Sequence, residues 1–167
     1  SAHIETQDTL PEHLLKALLD ARFFQSGMQS LRQIEFALFD LSIHRSNPAL
    51  NAEQIQAMLD DIRQNYAVAP TTAYNRFQHS FSHIFAGGYA AGYYSYKWAE
   101  VLASDAFDRF ENEGLFNTET GKQFRQFILA VGGKDSALDA FINFRGREPK
   151  IDALLRHQGW TNTVKNA

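Results

Sequence analysis

Apolar residues recur at intervals of three and four along most of the chain, the spacing that places them on one face of an α-helix. Leu14, Leu15, Leu18 and Leu19 are one such series. No run alternates strictly between apolar and polar residues, as a strand with one exposed face does, so the pattern predicts an all-α fold. The predicted helices cover residues of about 11–25, 28–44, 51–65, 93–113, 117–131, 135–144 and 149–158.

Residues with known capping preferences mark several helix ends. Asn51 with Gln54 three positions later is typical of a capping box, and Asn117 and Ser136 are expected N-caps. We expect the longest helix to begin between about residues 88 and 93 and to end near Gly114, with Trp98 facing the core.

Residues 66–92 interrupt the helical periodicity. This stretch contains Pro70, Gly87, Gly88 and Gly92, and it predicts an irregular connection with one short helix near 73–80. Connections of this length are often functional. We therefore expect residues 1–167 to form a single helical domain that carries a Gly-rich loop region over 66–92.

Composition narrows the function classes. The chain is 44% hydrophobic and 21% charged with a net charge of −3, which disfavours disorder and a nucleic-acid partner. It has no cysteine, which excludes disulfides and thiolate zinc sites. The chain contains no stretch of 18 consecutive apolar residues, so no membrane span is predicted, and no signal peptide is recognisable. The cytoplasm is the expected location. The chain begins without Met, so it could be part of a longer protein.

Charged side chains offer two weak candidates for chemistry. His79 and His83 are four residues apart, so a helix would place both imidazoles on one side, where they could bind zinc. Two ligands fall short of a catalytic zinc site, and surface or capping histidines are the favoured explanation of the pair. A second group of acidic residues predicts a solvated helix face rather than paired catalytic carboxylates, and Arg147 reads as a surface arginine at a turn. The acidic group comprises Glu100, Asp105, Asp108, Glu111 and Glu113.

The tyrosines that follow the glycines are the most unusual feature. In a helix that begins near Tyr89, the residues Tyr89, Tyr93 and Tyr96 would share one narrow face. Phenol hydroxyls donate hydrogen bonds without carrying charge, which suits them to a substrate carbonyl or a developing oxyanion. An aromatic stripe that packs into the core has the same spacing, so spacing leaves both interpretations open.

Taken together, several segments resemble the C-terminal signature of the thimet oligopeptidase-like zinc metallopeptidases. The main segment begins Phe-Ser-His-Ile-Phe-Ala-Gly-Gly-Tyr and continues through Tyr-Tyr-Ser-Tyr-Lys-Trp-Ala-Glu. The similarity extends over nearly the whole chain. The matching segments are 31–40, 81–105, 144–149 and 152–155.

The resemblance implies a multi-helix C-terminal part of a larger zincin that hydrolyses internal bonds of short peptides. The family's zinc motif, His-Glu-x-x-His, lies upstream of these segments, so the resemblance implies zinc in the full-length enzyme and no metal ligands in this chain. Tyr96 and His83 would be catalytic, and Tyr89, Tyr93, Gly87 and Gly88 would bind substrate. The implied partners are peptide substrates and the zinc-binding remainder of the same polypeptide.

Two other functions stay open from the sequence. One is an autonomous helical module that binds peptides without cleaving them. The other is a small metal-binding protein that uses His79 and His83. An open reading frame that extends upstream through a His-Glu-x-x-His motif would favour the peptidase.

Overall fold

A computed structural model describes residues 2–161, and helices account for nearly all of their regular structure. Within this range there is no β-strand, only an isolated bridge between Ala2 and Thr9. The predicted all-α fold is therefore confirmed. The seven α-helices are α1 Glu12–Ala21, α2 Ser26–Arg45, α3 Ala52–Tyr66, α4 Ser95–Glu113, α5 Thr118–Phe124, α6 Ala137–Arg145 and α7 Asp152–His157.

Local capping explains three of the helix starts. Asn51 and Gln54 form the predicted capping box, with both reciprocal hydrogen bonds 2.9 Å long. The Asn117 side chain accepts from two N–H groups of the first turn of α5, and the Ser136 hydroxyl accepts from Asp139 N–H. These caps satisfy backbone donors that a helix leaves unpaired at its N-terminus. A π-helical turn, Arg125–Leu129, continues α5.

Helix α4 differs from the prediction in two respects. It has 19 residues against 20 in α2, so the expectation that it is the longest helix is wrong. It also begins at Ser95, after Tyr89 and Tyr93 rather than at either. The preceding residues form turns because Ala91 adopts a left-handed φ of 54°, which is incompatible with an α-helix.

Helices α2 and α3 and the connection between α3 and α4 enclose a first core. Its buried side chains are Phe39, Leu59, Ile62, Phe81 and Ile84. Phe81 and Ile84 come from the connection, which contains two short 3₁₀ segments, Phe77–His79 and Ser82–Ile84. Beside the core, Glu35 of α2 and Arg63 of α3 form a buried ion pair with a 3.0 Å bond.

Helices α4, α5 and α6, with the π-helical turn, enclose a second core. Ala106, Phe141 and Phe144 are buried there, and Phe110 and Phe124 pack around them. The core lies against the part of α4 from Leu102 to Phe110. Trp98, in the first turn of α4, is 56% exposed, so the prediction that it faces the core is wrong.

The acidic residues of α4 are partly internal, which corrects the prediction of a solvated face. Asp105 is only 1% exposed, and Asp108 is also buried. Arg145 lies 3.0 Å from Asp105 and 2.9 Å from Asp108. Arg147 approaches Asp105 to 2.6 Å, so it is a structural ion-pair partner rather than a free surface residue. These bonds fasten α4 to the α6–α7 region across about 40 residues of sequence.

Helix α1 buries none of its residues. Its four leucines are all substantially exposed, with Leu18 at 62%. A helix with such an apolar face usually packs it against another element. No helix in the described part of the chain is long and apolar enough to cross a membrane.

Candidate active site

One histidine and three tyrosines form an aromatic cluster in front of α4. The Tyr96 ring stacks on Tyr89 with centroids 5.0 Å apart and meets Tyr93 at 5.1 Å. The His83 ring lies 6.2 Å from Tyr89 and 6.3 Å from Tyr93. These four residues, which we call the tyrosine cluster, are the side chains that the sequence singled out.

The cluster forms by a different route from the one that the sequence suggested. Only Tyr96 belongs to α4, whereas Tyr89 and Tyr93 lie in the turns that precede the helix. Tyr93 and Tyr96 lie one turn apart, and the Tyr96 N–H donates to the Tyr93 carbonyl at 3.3 Å, whereas the left-handed Ala91 separates Tyr89 from that turn. A period of 3.6 residues therefore gave the correct grouping although Tyr89 lies outside the helical turn.

The cluster has a fixed base and an open edge. Tyr93 packs against the buried Phe81 at 5.1 Å, and its hydroxyl donates to the Gln33 side-chain oxygen at 3.0 Å. Tyr96 is 39% exposed, and His83 is also exposed. Tyr93 thus anchors the cluster to α2, while the Tyr96 hydroxyl and the His83 imidazole face outward from the first core.

Gly87 and Gly88 let the loop fold closely over His83. A β-carbon on Gly87 would lie 2.8 Å from the His83 Cα and 2.9 Å from its carbonyl oxygen, closer than such atoms can approach. Gly88 has a φ of 79°, which favours glycine. The Tyr89 N–H donates to the His83 carbonyl at 3.1 Å and closes the loop. The two glycines therefore bring Tyr89 next to His83.

Asp40 is a site residue that the sequence analysis missed. Its side chain is fully buried, and its two oxygens accept from the N–H groups of Ala91 and Tyr93, each at 2.9 Å. A signal was present in the sequence, because an aspartate directly follows Phe39 in a helix whose neighbouring positions are apolar. Acidic residues are rarely buried unless they have partners. The partners, however, lie more than 50 residues away and could not be identified from the pattern.

The phenols keep their protons at neutral pH. The hydrogen bond with Tyr89 raises the pKa of Tyr96 above its ordinary value of 10.0, and partial burial and the neighbouring phenols add to the effect. Burial raises the pKa of Tyr93 in the same direction, and the charge of Arg32 opposes part of that rise. Both residues are therefore uncharged hydrogen-bond donors over the physiological range.

The His79 and His83 pair does not have the single-helix arrangement on which the zinc interpretation was based. The two residues lie in separate 3₁₀ segments rather than on successive turns of one α-helix. Within residues 2–161, no group of three or more His, Cys, Asp or Glu side chains could hold a metal ion. The described residues therefore do not fit the zinc that the resemblance implies for the full-length enzyme.

A cleft of about 550 Å³ lies beside the cluster. Gln33, which accepts from Tyr93, is part of its wall, as are Arg32 and the paired residues Lys97 and Glu100. The wall therefore combines donors, acceptors and both signs of charge.

Comparison with known proteins places these residues in a family. The model of peptidase family M3 matches residues 1–160. The chain is 51% identical over 159 residues to oligopeptidase A of Escherichia coli, covering 95% of this chain and 23% of that protein. It is 51% identical over 161 residues to a probable cytosolic oligopeptidase A of Arabidopsis thaliana, covering 94% and 23%.

More distant relatives agree. The chain is 33% identical over 163 residues to saccharolysin of Saccharomyces cerevisiae, which covers 97% of this chain and 23% of that protein. The chain thus spans about a quarter of the length of these relatives. The match over nearly all of its residues, together with the helical architecture, shows that the chain belongs to peptidase family M3.

Proposed function

We propose that this chain is the C-terminal part of a zinc metallo-oligopeptidase, similar to oligopeptidase A, that hydrolyses internal bonds of short peptides. The observation that carries the proposal is an outward-facing set of protonated phenols beside an imidazole, found in a member of a peptidase family. The family membership supplies the reaction class. The cluster supplies the groups that this chain would contribute.

In this proposal, Tyr96 and His83 are the catalytic residues of the chain. Each donates a hydrogen bond to the oxygen of the scissile carbonyl, which becomes negatively charged when the peptide carbon becomes tetrahedral. A donor without charge strengthens its bond as that charge develops, so it stabilises the transition state more than the bound substrate. Tyr96 suits this role because its raised pKa keeps the phenol protonated and its side chain is 39% exposed at the open edge of the cluster.

Tyr89, Tyr93, Gly87 and Gly88 are the proposed substrate-binding residues. Gly88 has open space where a side chain would stand, so an extended peptide can approach its backbone closely, while Gly87 lets the loop pass closely over His83. Tyr89 and Tyr93 hold Tyr96 between them through ring contacts of 5.0 and 5.1 Å. The described residues offer no set of zinc ligands, so we assign the zinc site and water activation to the remaining part of the peptidase.

The exposed leucine face of α1 supports the existence of such a remaining part. An element that packed against this face would bury the four exposed leucines, Leu14, Leu15, Leu18 and Leu19. The relatives are about four times as long as this chain, so they contain enough additional sequence to do so. We propose that the remaining part of the peptidase packs on this face. We also place the peptidase in the cytoplasm, as the name of the Arabidopsis thaliana relative says of that protein.

A chimera tests the proposal. This chain would replace the matching 159 residues of Escherichia coli oligopeptidase A, and cleavage of short fluorogenic peptides would be measured with and without a chelator. We expect chelator-sensitive cleavage by the chimera, and neither cleavage nor retained zinc for the chain alone after dialysis. A folded chimera that binds peptides without cleaving them would favour the peptide-binding module instead.

A substitution on α1 tests the proposed packing within the same pair of proteins. Leu18→Glu should leave the melting temperature of the chain alone unchanged, because Leu18 is 62% exposed there. In the chimera the same change would bury a charge, so we expect a clear loss of thermal stability. Equal effects in both proteins would contradict the packing proposal.

A further inference from the structure

We propose that Asp40 is a positioning residue for the tyrosine cluster: its buried carboxylate fixes the backbone of residues 91–93 and thereby places Tyr93 and Tyr96 beside Tyr89. The inference deepens the proposed function, on which its catalytic consequence rests. The positioning itself concerns this chain alone and can be tested without any peptidase activity.

The carboxylate holds the segment at two points. Oδ1 of Asp40 accepts from Ala91 N–H at 2.9 Å, and Oδ2 accepts from Tyr93 N–H at the same distance. Both oxygens are therefore committed to the segment that leads into α4. Hydrogen bonds to a charged acceptor are among the strongest that a protein makes, particularly where water is excluded.

The segment needs such a restraint. Ala91 has a φ of 54°, an uncommon conformation for a residue with a β-carbon that persists only where the surroundings impose it. The Ala91 side chain is exposed, so side-chain packing does not supply the restraint. The bond from its N–H to the buried carboxylate does.

The charge environment of Asp40 differs from that of the other buried carboxylates. Among the described residues, the only basic side chain at ion-pair distance is the His44 imidazole, whose Nδ1 lies 2.9 Å from Oδ1. The two backbone N–H groups therefore provide much of the compensation for a charge that is fully shielded from solvent. If the segment moved away, the carboxylate would be left without those donors, so the folded state favours one loop position.

The positioning reaches Tyr96 through Tyr93. Fixing the Tyr93 backbone fixes its ring between Phe81 and Tyr96, with centroid distances of 5.1 Å to each. Residues 94 and 95 then start α4 in a defined direction, and the Tyr96 ring stacks on Tyr89. The hydrogen bond between the Tyr96 and Tyr89 hydroxyls reports this arrangement, because it raises the pKa of Tyr96.

The test compares Asp40→Asn with Asp105→Asn in the chain itself. Both aspartates are buried helix residues that accept a backbone N–H from a distant loop, so Asp105 is a matched control outside the cluster. Asparagine keeps the size but replaces one acceptor oxygen with a donor. The readouts are NMR hydrogen exchange at the amides of residues 91 and 93, relative to amides of α3, and the NMR titration of Tyr96.

We expect Asp40→Asn to speed exchange at both amides by at least about tenfold and to lower the pKa of Tyr96 toward 10. Asp105→Asn should change neither readout, although it lowers global stability. A role for Asp40 in stability alone would lower the melting temperature and leave the Tyr96 titration where it was, and that result would overturn the proposal.

A measurement on the unmodified chain keeps the test decisive if Asp40→Asn does not fold. The amides of Ala91 and Tyr93 should exchange at least about tenfold more slowly than in an unstructured peptide, although both precede α4. Exchange at the unstructured rate would overturn the proposal. In the chimera, Asp40→Asn should reduce kcat far more than it raises KM. An inactive chimera with the expected Tyr96 titration would contradict the proposed function and leave the positioning role intact.

Discussion

Two aspartates are almost completely shielded from solvent, and the two sides of the molecule compensate them in different ways. Asp40 on α2 receives two backbone N–H groups from the segment before α4. Asp105 on α4 receives the guanidinium groups of Arg145 and Arg147. In the first region a carboxylate organises uncharged phenols, and in the second it neutralises cations.

This difference in partners distinguishes a candidate site, the tyrosine cluster beside Asp40, from a structural ion-pair network around Asp105. Arginines that pair with Asp105 and Asp108 spend their donors on the protein itself, so the network joins α4 to the α6–α7 region and offers little to a ligand. The tyrosine cluster keeps outward-facing donors because Asp40 takes its hydrogen bonds from two main-chain N–H groups beside the His44 imidazole and from none of the phenols. A count of charged residues does not distinguish these cases, whereas the kind of partner does.

The largest stability effect should come from breaking the arginine network. Asp105→Asn leaves Arg147 without its buried counter-charge and leaves Arg145 with Asp108 alone, and we expect a loss of roughly 3 kcal/mol in the free energy of unfolding. Urea denaturation measures it. Asp20→Asn is the control, because its 2.6 Å pair with Lys16 is exposed and should contribute less than about 1 kcal/mol. Equal losses for both variants would remove the distinction between the two kinds of pair.

A smaller loss is expected where the glycine loop passes over His83. Gly87→Ala forces a β-carbon to within 3 Å of the His83 backbone, and such overpacking costs about 1–3 kcal/mol. The control is Gly121→Ala in the interior of α5, where a β-carbon meets nothing within 4 Å. That variant should gain about 0.5–1 kcal/mol. Thermal melts of the two variants should therefore shift in opposite directions.

The pH dependence should also differ between the regions. Burial would raise the pKa of Asp105, but hydrogen bonds from Arg147 and the Lys150 N–H and the charge of Arg145 outweigh it, so the pKa lies below its ordinary value. Burial would likewise raise the pKa of Glu111, but the hydrogen bonds and charges of His157 and Arg156 outweigh it, so this pKa is also lowered.

The sign follows from these directions. A lowered carboxyl pKa stabilises the fold above the ordinary value of about 4 and loses that contribution as the pH falls through the lower, folded value. The raised pKa of Tyr96 works oppositely: its contribution is present below pH 10 and is lost as the pH rises further. Melts against pH should show a weaker acid dependence in Asp105→Asn and a weaker alkaline dependence in Tyr96→Phe.

Much of the fold was predictable because its determinants are local. The capping box at Asn51 and Gln54, and the caps at Asn117 and Ser136, depend on residues within three positions of one another. Apolar periodicity is equally local, and it located every α-helix to within a few residues. The start of α4 was misplaced because it depends on a carboxylate about 50 residues upstream.

The rest depended on contacts between distant segments. The carboxylate of Asp105 pairs with arginines at the end of α6 and just beyond it, and only the folded chain brings them together. The sequence was enough to propose which residues form the tyrosine cluster, but not the backbone conformation before α4 or the role of Asp40 in holding it. Periodicity describes one helix at a time, and these features each join two or more elements.

The proposed catalytic role of Tyr96 is tested most directly by steady-state kinetics of the chimera carrying Tyr96→Phe. The change keeps the ring contacts with Tyr89 and Tyr93 and removes only the hydroxyl. We expect kcat to fall by about 10²–10³, as for loss of one oxyanion donor, with little change in KM or melting temperature. Tyr94→Phe, an exposed neighbour, should keep the activity of the parent chimera. A Tyr96→Phe kcat within about threefold of the parent, a barrier change of only about 0.65 kcal/mol, would contradict the account.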